Sequence, residues 1–347
     1  MEHKPKVLIV ATSSKTRGGI TSVIKAHQKG SLWQTYQCKW IETHIDKNIF
    51  YKLIFFIRSF IEFIFLAPFY DIIHIHTSEP PSLIRKSAYF FIARCYHKKI
   101  IIHFHAYSPK TTILGKYQWL YKYVFTHADK VIVLSDYWKK AIQEAFGNQS
   151  NIITIYNPCD ITVMPSIYEK KNHILYAGTI NQRKGYKDLI LAFATIAKQY
   201  PNWKIVFAGN GEIAQAKEVA KTYGITNQID FLGWIENETK DKAFKEAKIF
   251  CLPSYAEGFP MAVLDAWAYG LPVIATPVGG LPDIAVDNSN ALLFTPGNIK
   301  ELSQKIEQLI SNSTLRNRLA EAGLSLATSV FSINTINHQI EELYNSL

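Results

Sequence analysis

The sequence predicts an α/β protein built from two doubly wound domains, and three observations carry the prediction. Its 347 residues are a little over twice the size of an ordinary domain of roughly 150 residues. Short runs of Val, Ile and Leu, with little polar–apolar alternation, take turns with helix-like segments, as in parallel sheets covered on both faces. The alternation breaks once, at Asn157-Pro158, and then restarts.

In the first array, residues 6–12 read as a strand and 19–29 as a helix. A long apolar helix over 49–70 leads to a strand over 71–77. Helices over 82–97, 114–126 and 136–146 alternate with strands over 99–106, 130–135 and 152–156. Asn157-Pro158 is a turn signal, and 160–172 is irregular and polar. The second array has strands over 174–177, 203–208, 229–232, 249–252 and 272–276, with a short element near 291–294. Its helices fall over 186–200, 213–223, 238–247 and 260–269, and further helices run to the C-terminus. The expected domains are 1–160 and 161–330, with a helix in 331–347 packing back on the first. In such sheets ligands bind at the carboxyl ends of the strands, so the expected site is the cleft between the domains.

Composition narrows the function classes. Apolar residues make up 48% and charged residues 19%, which excludes a disordered, collagen-like or disulfide-scaffold chain. Cys38, Cys95, Cys159 and Cys251 are far apart with no CxxC pair, and read as reduced thiols. The apolar run Val7 to Ala11 is too short for a secretory signal, so the expectation is a cytoplasmic protein. The net charge of +10 favours an anionic partner. Neither zinc-finger spacing nor an aromatic RNA-binding signature accompanies it, so nucleic acid is not expected.

The 49–70 segment approaches the length of a membrane span, but Lys52, Arg58 and Glu62 interrupt it. Arg58 and Glu62 are four apart and are expected to pair on one helix face. Two readings stay open: a helix packed in the core with one solvated stripe, or a helix lying in an anionic membrane interface on the inner face of the cytoplasmic membrane.

Three loops carry chemistry. Arg17-Gly18-Gly19-Ile20 follows the first strand and opens a helix, where glycines let backbone amides meet an anion. In Gly178-Thr179-Ile180-Asn181-Gln182-Arg183-Lys184-Gly185, two adjacent cations follow the first strand of the second array. Arg and Lys can neutralise a departing diphosphate without a metal. In Ser254-Tyr255-Ala256-Glu257-Gly258-Phe259-Pro260-Met261, Glu257 lies in a loop after a strand, and helix N-terminal amides follow it. Asp265, eight residues beyond Glu257, lies about two turns inside that helix. A loop carboxylate suits sugar hydroxyls, and one farther along the helix suits the diol of a ribose.

Seven motifs fall in the order found in one family. They are Gly18-Gly19, His105, the Val131–Ser135 stretch, Asn157-Pro158-Cys159-Asp160, Gly178 with Arg183-Lys184-Gly185, Glu257-Gly258-Phe259-Pro260, and Gly270-Leu271-Pro272-Val273-Ile274. The chain resembles the retaining glycosyltransferases of family 4, most densely over 174–283, and the resemblance implies the GT-B fold. It implies that Arg183 and Lys184 hold the diphosphate of a UDP- or GDP-sugar and that Glu257 contacts the transferred sugar. Gly258 and the segment Phe259, Pro260 and Met261 would line the sugar-phosphate pocket, with Phe259 and Met261 as the donors because proline has no N–H. The family's glutamate is Asp265 here, one methylene shorter, and would meet the ribose. Gly19 would let the backbone approach the phosphate. His105 would hydrogen-bond the sugar near the reacting carbon.

A rival constellation exists. His74-Ile75-His76 and His103-Phe104-His105 are both HxH on strands, and residues two apart share a face, so four histidines could converge on zinc. Only Glu79 stands near as an acidic ligand, and no metal or other cofactor is expected. The reading is therefore a metal-independent glycosyltransferase that uses a nucleotide sugar. Its acceptor is a lipid-linked glycan, as in capsule, exopolysaccharide or O-antigen assembly. A soluble transferase acting on a small sugar or sugar phosphate, and a nucleotide-sugar-binding module without catalysis, are the alternatives.

Overall fold

A computed structural model describes residues 4–16, 18–147, 150–160 and 169–347. Arg17 of the first glycine motif and positions 161–168 of the polar stretch, where the second expected domain begins, lie outside the described residues. The chain divides into two compact units, one of Met1–Pro158 with Phe331–Leu347 and one of Cys159–Val330.

The first unit is a six-stranded sheet in the order β2-β1-β3-β4-β5-β6. Its strands are β1 (Val7–Ala11), β2 (Lys39–Glu42), β3 (Ile72–Thr77), β4 (Lys99–Phe104), β5 (Lys130–Val133) and β6 (Ile152–Thr154). All pairings are parallel, with Val7 opposite Ile72 and His76 opposite His103. The helices are α1 (Gly19–Gln28), α2 (Leu32–Thr35), α3 (Ile49–Leu66), α4 (Pro80–Cys95), α5 (Gln118–His127) and α6 (Asp136–Phe146). The central strands β1 and β3 are buried throughout, which is why they read as unbroken apolar runs. Sequence reasoning missed β2 and α2. β2 is an edge strand of four residues that buries only Ile41, so it carries no apolar run to find. The helix expected from 114 begins at Gln118, because Pro109–Ile113 forms a wide π turn first.

The second unit has the sheet order β12-β11-β10-β7-β8-β9. Its strands are β7 (His173–Ala177), β8 (Lys204–Ala208), β9 (Ile229–Gly233), β10 (Ile249–Leu252), β11 (Val273–Ala275) and β12 (Leu292–Leu293). Its helices are α7 (Tyr186–Ala194), α8 (Ile213–Thr222), α9 (Asn237–Glu246), α10 (Met261–Ala268), α11 (Ile299–Ser311) and α12 (Ser313–Ser329). α7 ends six residues before the sequence expectation of Tyr200; residues 195–199 continue as turns ahead of Pro201.

The last helix, α13 (Ile333–Asn345), belongs to the first unit. Ile336, Ile340, Leu343 and Tyr344 enter its core beside Val7, Ile9, Ile24 and Tyr36. Tyr36 meets Tyr344 edge-on at 5.1 Å.

Each sheet reverses its winding once, between β1 and β3 in the first unit and between β7 and β10 in the second. At such a reversal the loops leaving two neighbouring strands turn to opposite faces and open a crevice at their carboxyl ends.

α3 departs from the expectation of a core helix. Only Ser59 and Phe63 are buried along it. Ile49 is 83% exposed, Phe50 65%, Leu53 57% and Phe65 72%. The Arg58–Glu62 pair expected from their spacing does not form; Glu62 reaches across to Lys39 on β2 at 3.2 Å. No described helix is long and apolar enough to cross a membrane.

Candidate active site

In the second unit the reversal point brings two predicted motifs together. The loop after β7 holds Asn181, whose side chain accepts from the Lys184 amide at 3.0 Å and so closes a single helical turn over Gln182–Lys184. Gly185 follows at φ +70°, where a Cβ would run into the carbonyl oxygen of Pro253. Only glycine lets the β7 and β10 loops pack backbone to backbone there. The Tyr255 amide donates to the Arg183 carbonyl at 2.8 Å, and the Arg183 guanidinium donates to the Ala256 carbonyl at 2.9 Å.

These contacts place Lys184 against Glu257. The ammonium donates to both carboxylate oxygens, at 2.6 and 2.7 Å, and Ser254 Oγ donates to Oε1 at 2.6 Å. The side chains are only 16% and 7% exposed. Sequence reasoning placed Lys184 and Glu257 on different parts of a ligand; in the structure they are each other's partners. Any anion approaching Lys184 would compete with Glu257 for it, while Arg183 stays outside that pair.

Gly258 is pinned from behind, since its carbonyl accepts from the Gly280 amide at 2.8 Å. Gly279 sits at φ +65° with the Glu257 and Gly258 carbonyls where a Cβ would go. Phe259 is buried, and Pro260 is the N-cap residue of α10, whose first helical residue is Met261. The first-turn amides of a helix have no carbonyl behind them to bond, so this terminus is a natural anion contact. Asp265 lies on α10, half-buried, and binds Lys240 of α9 at 2.8 Å.

Two features here were not picked out in the sequence. Gly279-Gly280 after β11 holds the Glu257 loop. Gly209-Asn210-Gly211-Glu212 after β8 runs beside the β7 loop, with Ile180 paired to Gly211 and Asn210 accepting from the Trp234 amide at 3.0 Å. Both carry the signal of paired glycines in the loop after a strand.

The first unit presents a different chemistry. Gly18 is the N-cap residue of α1, Gly19 opens the helix, and open space surrounds both. His105 stands at the carboxyl end of β4, its amide bonded to the Thr77 carbonyl at 2.8 Å. His76 Nδ1 and His105 Nε2 lie 2.9 Å apart. One of the two must be the donor, and either arrangement leaves His105 Nδ1 for a ligand. Burial, and then the neighbouring Lys86 charge, hold His105 well below the usual imidazole range. It is a neutral hydrogen-bonding group rather than a charged one.

The two HxH motifs do converge. One ring nitrogen from each of His74, His76 and His103 lies within 4.8 Å of the other two. His74 stacks face to face on His76 at 4.5 Å and on His103 at 5.4 Å, while His76 and His103 are tilted by 31°. Lone pairs lie in the ring planes, so stacked imidazoles do not aim at a common ion as zinc ligands do. Tyr344 OH holds His74 Nδ1 at 2.7 Å, and Asn337 holds His27 Nδ1 at 2.6 Å, both from α13. His27, Asn337 and Tyr344 complete the cluster and carried no sequence signal. Burial lowers His27 to about 4 and His74 to about 3.

Comparison with known proteins follows this division. The family model described as Glycosyltransferase Family 4 matches residues 34–163, and the one described as Glycosyl transferases group 1 matches residues 167–325. An uncharacterized glycosyltransferase of Haemophilus influenzae is 32% identical over 207 residues, 58% of this chain and 56% of the relative. A Campylobacter jejuni enzyme that adds α-1,4-N-acetyl-D-galactosamine to a diphosphate-undecaprenol-linked glycan is 30% identical over 203 residues, 57% of this chain and 54% of the relative. The chain thus spans a little over half the length of these curated relatives. The crystal structure of Anabaena HepE in complex with UDP superposes with a TM-score of 0.80 at 20% identity, covering 99% of this chain and 100% of that one. That likeness shows the fold, GT-B. With its two halves matched in turn by these glycosyltransferase models, the chain belongs to the glycosyltransferases of family 4.

Proposed function

We propose that the protein is a retaining, metal-independent glycosyltransferase. It moves a sugar from a nucleotide diphosphate sugar to a hydroxyl of a lipid-linked glycan in capsule, exopolysaccharide or O-antigen assembly. The carrying observation is the Lys184–Glu257 pair beside Arg183 at the point where the second sheet reverses. A diphosphate gains charge as its bond to the sugar breaks. Arg183 and Lys184 neutralise that charge, and the Phe259 and Met261 amides beside Gly258 and Pro260 supply the remaining contacts. When Lys184 turns to the diphosphate, Glu257 is released to take the sugar hydroxyls. Asp265, drawn from Lys240, meets the ribose. His105 donates to the sugar, and Gly19 lets a phosphate approach the first turn of α1. The departing phosphate oxygen then assists the acceptor hydroxyl on the same face, which retains the anomeric configuration. Anabaena HepE has been crystallised with UDP and with UDP-glucose, which favours a UDP-sugar over a GDP-sugar as donor.

The lipid-linked acceptor is supported by α3. Its exposed apolar face is flanked by Lys47, Lys52 and Arg58. That combination suits an anionic membrane surface, with each nearby basic residue contributing about 1 kcal/mol that salt screens. Co-sedimentation with anionic vesicles at low salt, lost with neutral vesicles or at high salt, is the expected result. No sedimentation with anionic vesicles moves the acceptor to a small soluble sugar. The reaction itself is tested by mass spectrometry over UDP- and GDP-sugars, reading transfer or hydrolysis in the presence of chelator. Binding without any product across the panel would leave a nucleotide-sugar-binding module instead.

A further inference from the structure

Every charged donor described above in the second unit has a carbonyl or carboxylate partner. The reversal point of the first unit is different. Lys86, in the second turn of α4, is 1% exposed. Among the described residues its one hydrogen bond is to Ser82 Oγ, at 3.1 Å, one turn back on the same helix. Burial, and then the neighbouring Arg85 charge, push its amine well below the usual lysine range; recharged beside an anion it has three donors, two of them left over. A buried ammonium without an acidic partner is costly and normally marks a place where something anionic arrives.

The neighbours extend the surplus. Among the described residues Arg85 Nε is buried without a partner, and the guanidinium's one hydrogen bond is a long one to Pro81 O, at 3.4 Å. Thr77 Oγ1, at the end of β3, is buried and unpartnered. His105 beside Thr77 is neutral and feels the Lys86 charge. Glu42 is engaged elsewhere, accepting from Ser13 Oγ and the Ser14 amide at 3.1 and 2.7 Å. Asp46 binds His44 at 3.2 Å, and its charge also reaches Arg85. Glu79, the N-cap residue of α4, makes no side-chain cap hydrogen bond.

We propose that Lys86, Arg85 and Thr77 form an oxyanion subsite in the first unit that takes a phosphoryl group of the acceptor, separate from the donor diphosphate site on Arg183 and Lys184. Assigning the phosphate to the acceptor rests on the transferase reading; the subsite itself does not. A phosphate offers several oxygens to donors arriving from β3 and the second turn of α4, and the β1/β3 reversal is where a doubly wound sheet of this order receives a phosphorylated ligand.

The test uses the full chain saturated with UDP, so that the donor site is filled, and inorganic pyrophosphate as probe in a calorimeter. Pyrophosphate is expected to bind the UDP-saturated parent. Arg85→Gln and Lys86→Met should each weaken it at least about tenfold while UDP affinity is unchanged. Lys86→Met changes a fully buried position, so its melting temperature is measured alongside; Arg85 is part-exposed and its variant decides if Lys86→Met misfolds. Farnesyl diphosphate is the second arm. Tighter binding than pyrophosphate identifies a prenyl-linked source, and equal binding a free phosphate or sugar phosphate. No pyrophosphate binding over saturating UDP, or equal binding in the folded variants, overturns the subsite. Loss of UDP binding in the parent would instead strike at the transferase reading.

Discussion

The carboxyl edges of the two sheets solve the problem of buried charge in opposite ways. In the second unit it is cancelled internally: Lys184 lies on Glu257 at 2.6 Å and Lys240 on Asp265 at 2.8 Å. In the first unit it is avoided or left open. The histidines are held neutral by burial, and the same burial pushes the Lys86 amine well below the usual lysine range, with a single hydroxyl for company. On the proposed reading, a ligand of the second unit exchanges partners, whereas one of the first completes them.

The exchange model makes Lys184→Ala the most damaging single change. It removes a donor worth about 2–4 kcal/mol to the leaving group. It also strands a nearly buried carboxylate, a loss of roughly 3–5 kcal/mol of stability. Turnover should fall about 30- to 1000-fold with a lower melting temperature. Glu257→Ala leaves Lys184 in place, so turnover should fall about 100-fold through misplacement of the sugar while UDP binding persists. If both variants lose UDP affinity equally and keep the parent melting temperature, the two groups are not exchanging partners.

The neutral histidine cluster predicts acid sensitivity seated in the first unit. His27 has its folded value lowered to about 4 from 6.5, so the unfolded chain takes up the proton first as pH falls. Its contribution is complete above pH 6.5 and is lost between 6.5 and about 4, a change of about 3 kcal/mol. His74 extends the window toward 3. Chemical denaturation from pH 7 to 4.5 should show stability falling with pH, and His27→Gln should flatten the slope by about one proton. An unchanged slope would mean that the cluster is not what acid attacks.

The smallest effect expected is at Asp265. Asp265→Ala should weaken UDP binding by about tenfold, the worth of one charge-assisted hydrogen bond, and leave the fold intact because its partner Lys240 is part-exposed. Unchanged UDP affinity would move ribose recognition elsewhere, with Glu212 and Asn210 on the β8 loop the next candidates.

Much of this contrast was legible in the sequence, and the reasons differ by element. β1, β3 and β10 are buried along their whole length and announce themselves as apolar runs. β2 exposes most of its four residues and does not. Arg183, Lys184, Glu257 and Asp265 were singled out because glycines and strand ends frame them. Their mutual pairing was not, because it depends on the register of β7 against β10, which local sequence does not contain. The role of α13 was hidden for a similar reason: Tyr344 meets His74 across 270 positions of chain. For α3 the sequence left a core helix and an interfacial helix both open. Which face is buried depends on long-range contacts: Glu62 turns to Lys39 and the strongly apolar face is left outside.

The account turns on a nucleoside diphosphate binding at the β7/β10 reversal. Arg183 lies outside the Lys184–Glu257 pair and is exposed, so Arg183→Ala can be read without a stability change. Calorimetric titration of UDP into the parent and into Arg183→Ala at equal melting temperature is the most direct measurement. Saturable binding to the parent, weakened at least about tenfold in the variant, is the predicted result; equal affinity in the two proteins would contradict it.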